Sequence, residues 1–296
     1  MPSLKEVRNR IASVNSTMQI TNAMKMVSAA KLRKAQDTIL QLRPYANKLK
    51  SIIQNVSAGI DISENHFART TEKPQNILII PISSNRGLAG AFNSNINKKL
   101  TEITNNLQNL HPQANIFIFP IGKKVTEFGR KKKYNLFNIE NINVDLFELS
   151  EKPKFENAAV LVDELVRLFL NKKMDSVLLI YNQFKNAAVQ YPVVEDFLPI
   201  KKSDELQSAH VDYIFEPNRN FIIEVLIPQT LKTQLFKALL DSNASEHGAR
   251  MTAMHKATDN AKELLRTLRI DYNKARQAAI TKEILEIVAG AEALKS

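Results

Sequence analysis

The sequence predicts an α/β protein in which two long terminal helices pair as an antiparallel coiled coil and flank a domain built on a mainly parallel sheet. Three observations predict it. From about Gln229 to Leu294 the chain has no proline and only two glycines, Gly248 and Gly290. Over residues 4–42 apolar side chains step by three and four. Between these ends, short apolar runs alternate with helical periods, the pattern of βα units.

In the C-terminal segment Met254, Ala257, Ala261, Leu264 and Leu268, and again Ile280, Ile284, Ile287, Ala291 and Leu294, recur three and four apart and mark one face. At about 1.5 Å per residue this helix is on the order of 95 Å long. Its own fold cannot bury it, so one part is expected to pair in a coiled coil and the rest to meet something outside the chain.

At the other end Ser3-Leu4-Lys5-Glu6 reads as a capping box, so a helix starts almost at once. Leu4, Val7, Ile11, Val14 and Met18 form a heptad seam that resumes at Leu32, Ala35, Ile39 and Leu42. In the gap, Thr21, Lys25 and Ser28 occupy the seam while Ile20, Met24 and Val27 form a neighbouring stripe, as if the contacted partner changes there. Pro44 is expected to kink the helix rather than end it, with the end near Ser57.

The middle predicts strands at residues 77–82, 115–120, 136–149, 176–181, 189–199 and 211–215, and helices at 92–110, 123–133 and 155–171. This is a Rossmann-like α/β domain with a mainly parallel sheet, closed by an antiparallel hairpin. The expected segments are an N-terminal long helix at 1–58, the α/β domain at 76–216 and a C-terminal long helix at 218–296. If both helices leave the domain on one side, the C-terminal one is about twenty residues the longer and its tip protrudes alone.

Composition narrows the function. With 296 residues and 44% apolar content the chain is globular rather than disordered. Cysteine is absent, which excludes a disulfide framework, a thiolate nucleophile and a cysteine zinc site, and fits a reducing compartment. No run of about eighteen apolar residues occurs and no secretion-signal core stands near the start, so any membrane connection is expected to go through a partner. The net charge of +11 lies wholly on the terminal segments: residues 1–50 carry +8, residues 229–296 carry +3, and the middle balances at twenty against twenty. Those segments are expected to face something acidic.

Three long strings carry a specific resemblance. Residues 20–36, ITNAMKMVSAAKLRKAQ, together with 244–261, ASEHGARMTAMHKATDNA, and 272–291, YNKARQAAITKEILEIVAGA, resemble the terminal signatures of the gamma subunits of F-type ATP synthases, at the right separation. The resemblance implies a non-catalytic central rotor shaft with no cofactor and no nucleic acid. Its paired helices would sit inside a hexamer of three alpha and three beta subunits, and its globular part beside epsilon on a membrane ring of c subunits. Rotation driven by ion flow would turn the shaft and change the nucleotide affinity of each beta site in turn. The implied location is peripheral, on the cytoplasmic face of the bacterial inner membrane. Carried onto this chain, it makes Met24 and Arg250 contacts with a beta-subunit acidic loop, and Gln277 and Thr281 contacts with surrounding beta loops. Residues 284–294, among them Ile284, Ile287, Val288 and Leu294, would turn in an apolar sleeve of the hexamer. The family's internal turn usually reads Ser-Asp-Arg-Gly-Leu-Cys-Gly-Gly-Phe-Asn; Asn85, Ala89 and Ala91 depart from it here.

Other readings compete with parts of this one. Methionines at helical spacing are ordinarily core residues, and Arg250, Gln277 and Thr281 would ordinarily be solvated. The turn at 86–90 lies between a strand and a helix and could cradle phosphate, but its glycines fit neither a dinucleotide fingerprint nor a P-loop. His255 and Asp259, one turn apart, could begin a metal site that lacks a third ligand. The basic residues 130–133 read as a solvated helix end. A nucleic-acid footprint on the first helix would want stacking aromatics, and residues 1–44 contain no Phe, Tyr or Trp. A free-standing α/β enzyme would want a convergent catalytic set, and none is evident.

Overall fold

A computed structural model describes residues 4–58, 66–69, 71, 73–139, 142, 144–200 and 222–293. The helices are α1 (Leu4–Ala58), α2 (Phe92–Leu110), α3 (Lys123–Lys132), α4 (Leu146–Glu151), α5 (Phe155–Leu170) and α6 (Ile227–Ala293). The strands are β1 (Asn76–Pro81), β2 (Asn115–Ile118), β3 (Ser176–Phe184) and β4 (Gln190–Leu198). A three-residue 3-10 turn at His66–Ala68 and a π-turn at Ile222–Leu226 complete the described elements. Ser3, Leu294 and the expected strand at 211–215 lie outside the described residues, as does the expected start of the last helix near Asn218. The described part of that helix begins at Ile227, directly after the π-turn, with Pro228 in its first turn. Pro44 leaves α1 unbroken.

Contacts divide the chain into two compact units, residues 29–250 and residues 1–28 with 251–296, a division that falls within the long helices. The larger unit holds a four-stranded sheet in the order β2-β1-β3-β4, with β1 parallel to both β2 and β3, and β3 and β4 forming the antiparallel hairpin. Because helices cover both faces, β1 is an unbroken apolar string with Ile77, Leu78, Ile79 and Ile80 all buried. Its pleat sends Ile79 with Ile118 and Ile180 against Ile96 and Leu100 of α2 and Val125 of α3. Leu78 and Ile80, with Leu179 and Tyr181, face Leu161, Leu165 and Phe169 of α5 and Leu231, Leu235 and Leu239 of α6. Phe155 and Phe236 meet edge to face across α5 and α6, 5.6 Å between ring centres.

The expected strand at 136–149 is corrected. Leu136 makes one isolated bridge to Ile118, and from Leu146 the chain is helical. The Asp145 carboxylate accepts from the amides of Phe147 and Glu148, an N-cap strong enough to turn an apolar run into a short helix. The turn after β1 is held by side chains rather than left open. Ser83 Oγ accepts from the Val125 amide at 3.0 Å, Asn85 Oδ1 accepts from the Lys123 amide at 3.0 Å, and the Ser84 carbonyl accepts from the Lys124 amide at 3.1 Å. The first amides of α3 are therefore committed within the fold.

Gly122 enters α3 at φ +102, and a Cβ there would lie 2.2 Å from the Ser83 carbonyl oxygen. Gly122→Ala should lower the unfolding free energy of the larger unit by about 2–3 kcal/mol, from a strained dihedral and a backbone clash together. Urea titration of the purified chain measures it, and a loss under about 0.5 kcal/mol would show that the turn relaxes freely.

Candidate functional site

In the smaller unit α1 and α6 run antiparallel. Glu6, Val7 and Arg10 share one groove with Leu268, Asp271, Lys274, Ala275 and Ala278, while Asn15 and Met18 share another with Lys262, Leu265, Arg266 and Ile270. Rising numbers on one helix meet falling numbers on the other. The Thr21 and Thr258 hydroxyls, 2.9 Å apart, mark the register.

The inward positions of α1 are Leu4, Val7, Ile11, Val14, Met18, Thr21, Lys25 and Ser28, all buried or half-buried and stepping by three and four without a break. The seam therefore passes straight through its polar stretch. The neighbouring Ile20 and Val27 are left at 60% and 57% exposure, and Met24 is half-buried beside them. On α6 the inward positions are Met254, Thr258, Ala261, Leu265 and Leu268, continued by half-buried Tyr272, Ala275 and Ala279. Of the residues expected on the seam, Met254, Ala261 and Leu268 are buried and the alternate ones are not. Ala257 is half-buried, and Leu264 is 41% exposed while Leu265 is 5% exposed. Both spacings satisfy a heptad; what selects Thr258 and Leu265 is the face that α1 covers.

From Ile280 through Ala291 every residue of α6 is exposed, including Thr281, Ile284, Leu285, Ile287 and Val288, and Gln277 lies exposed just before them. Leu294 lies outside the described residues. Thr21→Val with Thr258→Val should change the stability of the pair by no more than about 1 kcal/mol, since both partners become apolar without change of shape. Thermal unfolding followed by circular dichroism reads this, and a loss above about 2 kcal/mol would mean the two hydroxyls carry the register.

The larger unit contains what sequence periodicity did not reveal. All ten residues from Asp241 to Arg250 are buried, although six of them are Asp, Ser, Asn, Glu, His or Arg in addition to a second Ser. Arg43 of α1 forms an ion pair with Asp241 and donates to the Phe184 carbonyl at the end of β3. Asn243 donates to the Ser150 and Glu151 carbonyls that end α4, and the Ser245 hydroxyl donates to the Asn182 carbonyl at 2.9 Å. Arg250 pairs with Glu246 at 2.7 Å and reaches the Gly87 carbonyl. At 8% exposure Arg250 is turned toward partners within its own fold. A guanidinium buried beside the helix finds a carboxylate one turn away and a carbonyl in the turn, the pairing that burial of its charge requires.

Burial pushes the carboxyls of Asp241 and Glu246 up, against the pull of Arg43 and Arg250 respectively. Burial pushes the His247 imidazole down to about 4, with Arg250 and Lys31 adding to the effect. His255 and Asp259 form an exposed pair at 3.4 Å, and Lys262 also approaches Asp259. Among the described residues no group of three or more His, Cys, Asp or Glu is placed to hold a metal, and no helix is long and apolar enough to cross a membrane.

The ATP synthase family model matches residues 3–294. The chain belongs to the ATP synthase gamma-chain family. It is 53% identical over 294 residues to an ATP synthase gamma chain of Christiangramia forsetii, covering 99% of both chains. It is 51% identical to that of Cytophaga hutchinsonii, covering 100% of both. Among solved structures, the central stalk and c-ring of Tetrahymena thermophila mitochondrial ATP synthase contains a chain with TM-score 0.57 and 25% identity, covering 80% of this chain and 99% of that one. A chain of the Euglena gracilis mitochondrial enzyme shares the fold at TM-score 0.64 and 20% identity, covering 98% of this chain and 94% of that one.

One departure from the usual family turn acquires a reason. Asn85 donates from Nδ2 to the Phe147 carbonyl at 2.6 Å while its Oδ1 receives the Lys123 amide. The aspartate more usual there could accept but not donate. In this gamma chain the turn therefore ties α3 and α4 together through one amide.

Proposed function

We propose that this chain is the central rotor shaft of an F-type ATP synthase, a non-catalytic subunit that couples ion-driven rotation of a membrane c-ring to ATP synthesis or hydrolysis on beta subunits. The observation that carries the reading is the end of α6: past the inward position Ala279, α6 continues with Ile280, Ile284, Ile287 and Val288 at 47–71% exposure. A helix leaves such a stripe in water only where another surface covers it in the assembly. An apolar sleeve with few directional contacts would hold this end while letting it turn, because dispersion and burial do not single out one rotational position. Gln277, exposed just before it, Thr281, exposed within it, and Met24, beside the seam, are the polar and apolar candidates for contacts with beta loops.

The partners are the alpha and beta subunits of the hexamer, epsilon and the c-ring, as the central-stalk setting of the solved relatives supports. The chain is peripheral to the membrane and connected to it through the complex; because its near relatives are bacterial, we place it on the cytoplasmic face of the inner membrane. The excess of basic residues toward both ends suits acidic loops. Each exposed charge pair is worth about 0–1 kcal/mol, enough to steer a turning shaft without locking it.

Reconstitution with alpha and beta subunits and the membrane sector should give ATP-driven ion pumping that depends on this chain. Met24→Lys should lower ions pumped per ATP while subunits still copurify, because it sets a cation beside an acidic loop; unchanged pumping would remove Met24 from the contact set. Ile284→Glu with Ile287→Glu should weaken retention of the chain in the hexamer about tenfold or more, since two carboxylates enter an apolar sleeve. Unaltered copurification would argue against that placement.

A further inference from the structure

A rotor must resist twist where its globular part grips the shaft helix, and apolar burial, being non-directional, leaves part of the choice of angle to other contacts. Directional bonds on opposite sides of a helix resist twist well. At about 100° per residue, Asp241 and Ser245 lie about 40° apart on one side of α6, whereas Asn243 and Arg250 lie on the far side, about 180–200° from Asp241. The first two are tied to Arg43 and to the β3 carbonyl of Asn182. The other two are tied to the carbonyls of Ser150 and Glu151 at the end of α4 and of Gly87 in the turn after β1. Turning the helix either way stretches bonds on both sides at once.

The grip is close as well as polar. A Cβ on Gly248 would stand 3.2 Å from the Ala187 backbone in the β3–β4 turn. The bonded framework is itself braced, since the Asn182 side chain donates to the Phe92 carbonyl at the start of α2. Seven polar residues among ten consecutive buried positions are a poor way to gain stability, because each hydrogen bond mainly repays desolvation. They are a good way to fix one angular setting.

We propose that residues 241–250 of α6 form a torque-bearing collar, in which Arg43, Asn243, Ser245 and Arg250 lock the angular position of the helix in the α/β unit just before it leaves that unit. The proposal rests on the rotor reading. The chain contains no cysteine, so Lys131→Cys on the exposed side of α3 provides one thiol on this chain for a rotation probe. In the assembled complex with alpha and beta subunits, with the hexamer fixed to a surface, angular fluctuation of that probe during catalytic pauses reports torsional stiffness. N243A/S245A and R43M/D241L should each raise the angular variance at least twofold over the parent while the complex still assembles. Variance equal to the parent in both would overturn the collar, as would failure of the charge-conserving N243A/S245A variant to assemble, which would make these bonds a folding requirement instead. Absence of ATP-driven rotation in the parent complex itself would count against the rotor reading, a separate outcome.

Discussion

Arg43→Met alone should cost the α/β unit about 3–5 kcal/mol, because it leaves the fully buried Asp241 carboxylate without its cation. The loss should depend on pH in a definite direction. Burial already raises the Asp241 carboxyl above its ordinary value in the fold, and removing Arg43 removes the largest of the pulls that offset it, leaving those of Lys237 and the Phe184 backbone. A group whose folded pKa lies above its unfolded one contributes stability that is full below the unfolded value and is lost as pH rises through the folded one. The deficit of the variant relative to the parent should therefore be smallest in acid, where Asp241 is protonated, and grow toward neutral pH. Replacing both partners, R43M/D241L, should return stability to within about 1–2 kcal/mol of the parent, since a buried pair exchanged for apolar groups is often neutral. Denaturant unfolding at several pH values checks both statements; a single variant as stable as the parent at neutral pH would mean that water reaches Asp241 after all.

His247 should make the protein acid-sensitive, with the opposite sign. Its ordinary value is 6.5 and the fold holds it at about 4, chiefly by burial, with Arg250 and Lys31 opposing a further charge. A depressed folded value means the stabilising neutral form is fully counted above pH 6.5, and its contribution is lost as pH falls from 6.5 to about 4. A displacement of that size corresponds to about 3 kcal/mol. His247→Gln removes the titration, so the difference in unfolding free energy between parent and variant should shift by about 3 kcal/mol between neutral pH and pH 4, with the parent losing more. Parallel pH curves for the two chains would show that the imidazole is not held neutral by the fold. His247 Nδ1 lacks a hydrogen-bond partner among the described residues, so the glutamine should carry little penalty of its own at neutral pH.

Helices α2, α3 and α5 of the α/β unit were legible because each has an amphipathic period of its own. α2 begins and ends at the residues the pattern predicts, and Phe92, Ile96, Leu100 and Thr104 are its buried stripe. β1 and β3 were legible because strands covered on both faces are unbroken apolar strings. Residues 136–149 misled because an apolar run reads as a strand until a cap decides otherwise, and the Asp145 cap acts through hydrogen bonds that hydrophobic periodicity does not count. The choice of Leu265 over Leu264 was likewise hidden, since two heptad phases fit the same small residues.

The sequence by itself determined the long helices, the four strands and their order, the antiparallel hairpin and, through three long terminal strings, the family. These depend on periodicity and local chemistry, which neighbouring residues carry in full. Only the tertiary structure decided that the most polar stretch of α6 is buried on every side and that Arg250 meets Glu246 and the Gly87 carbonyl. Burial of a polar residue depends on partners that lie far away in the chain, here Arg43, Gly87, Ser150 and Asn182, and no spacing within 241–250 announces them.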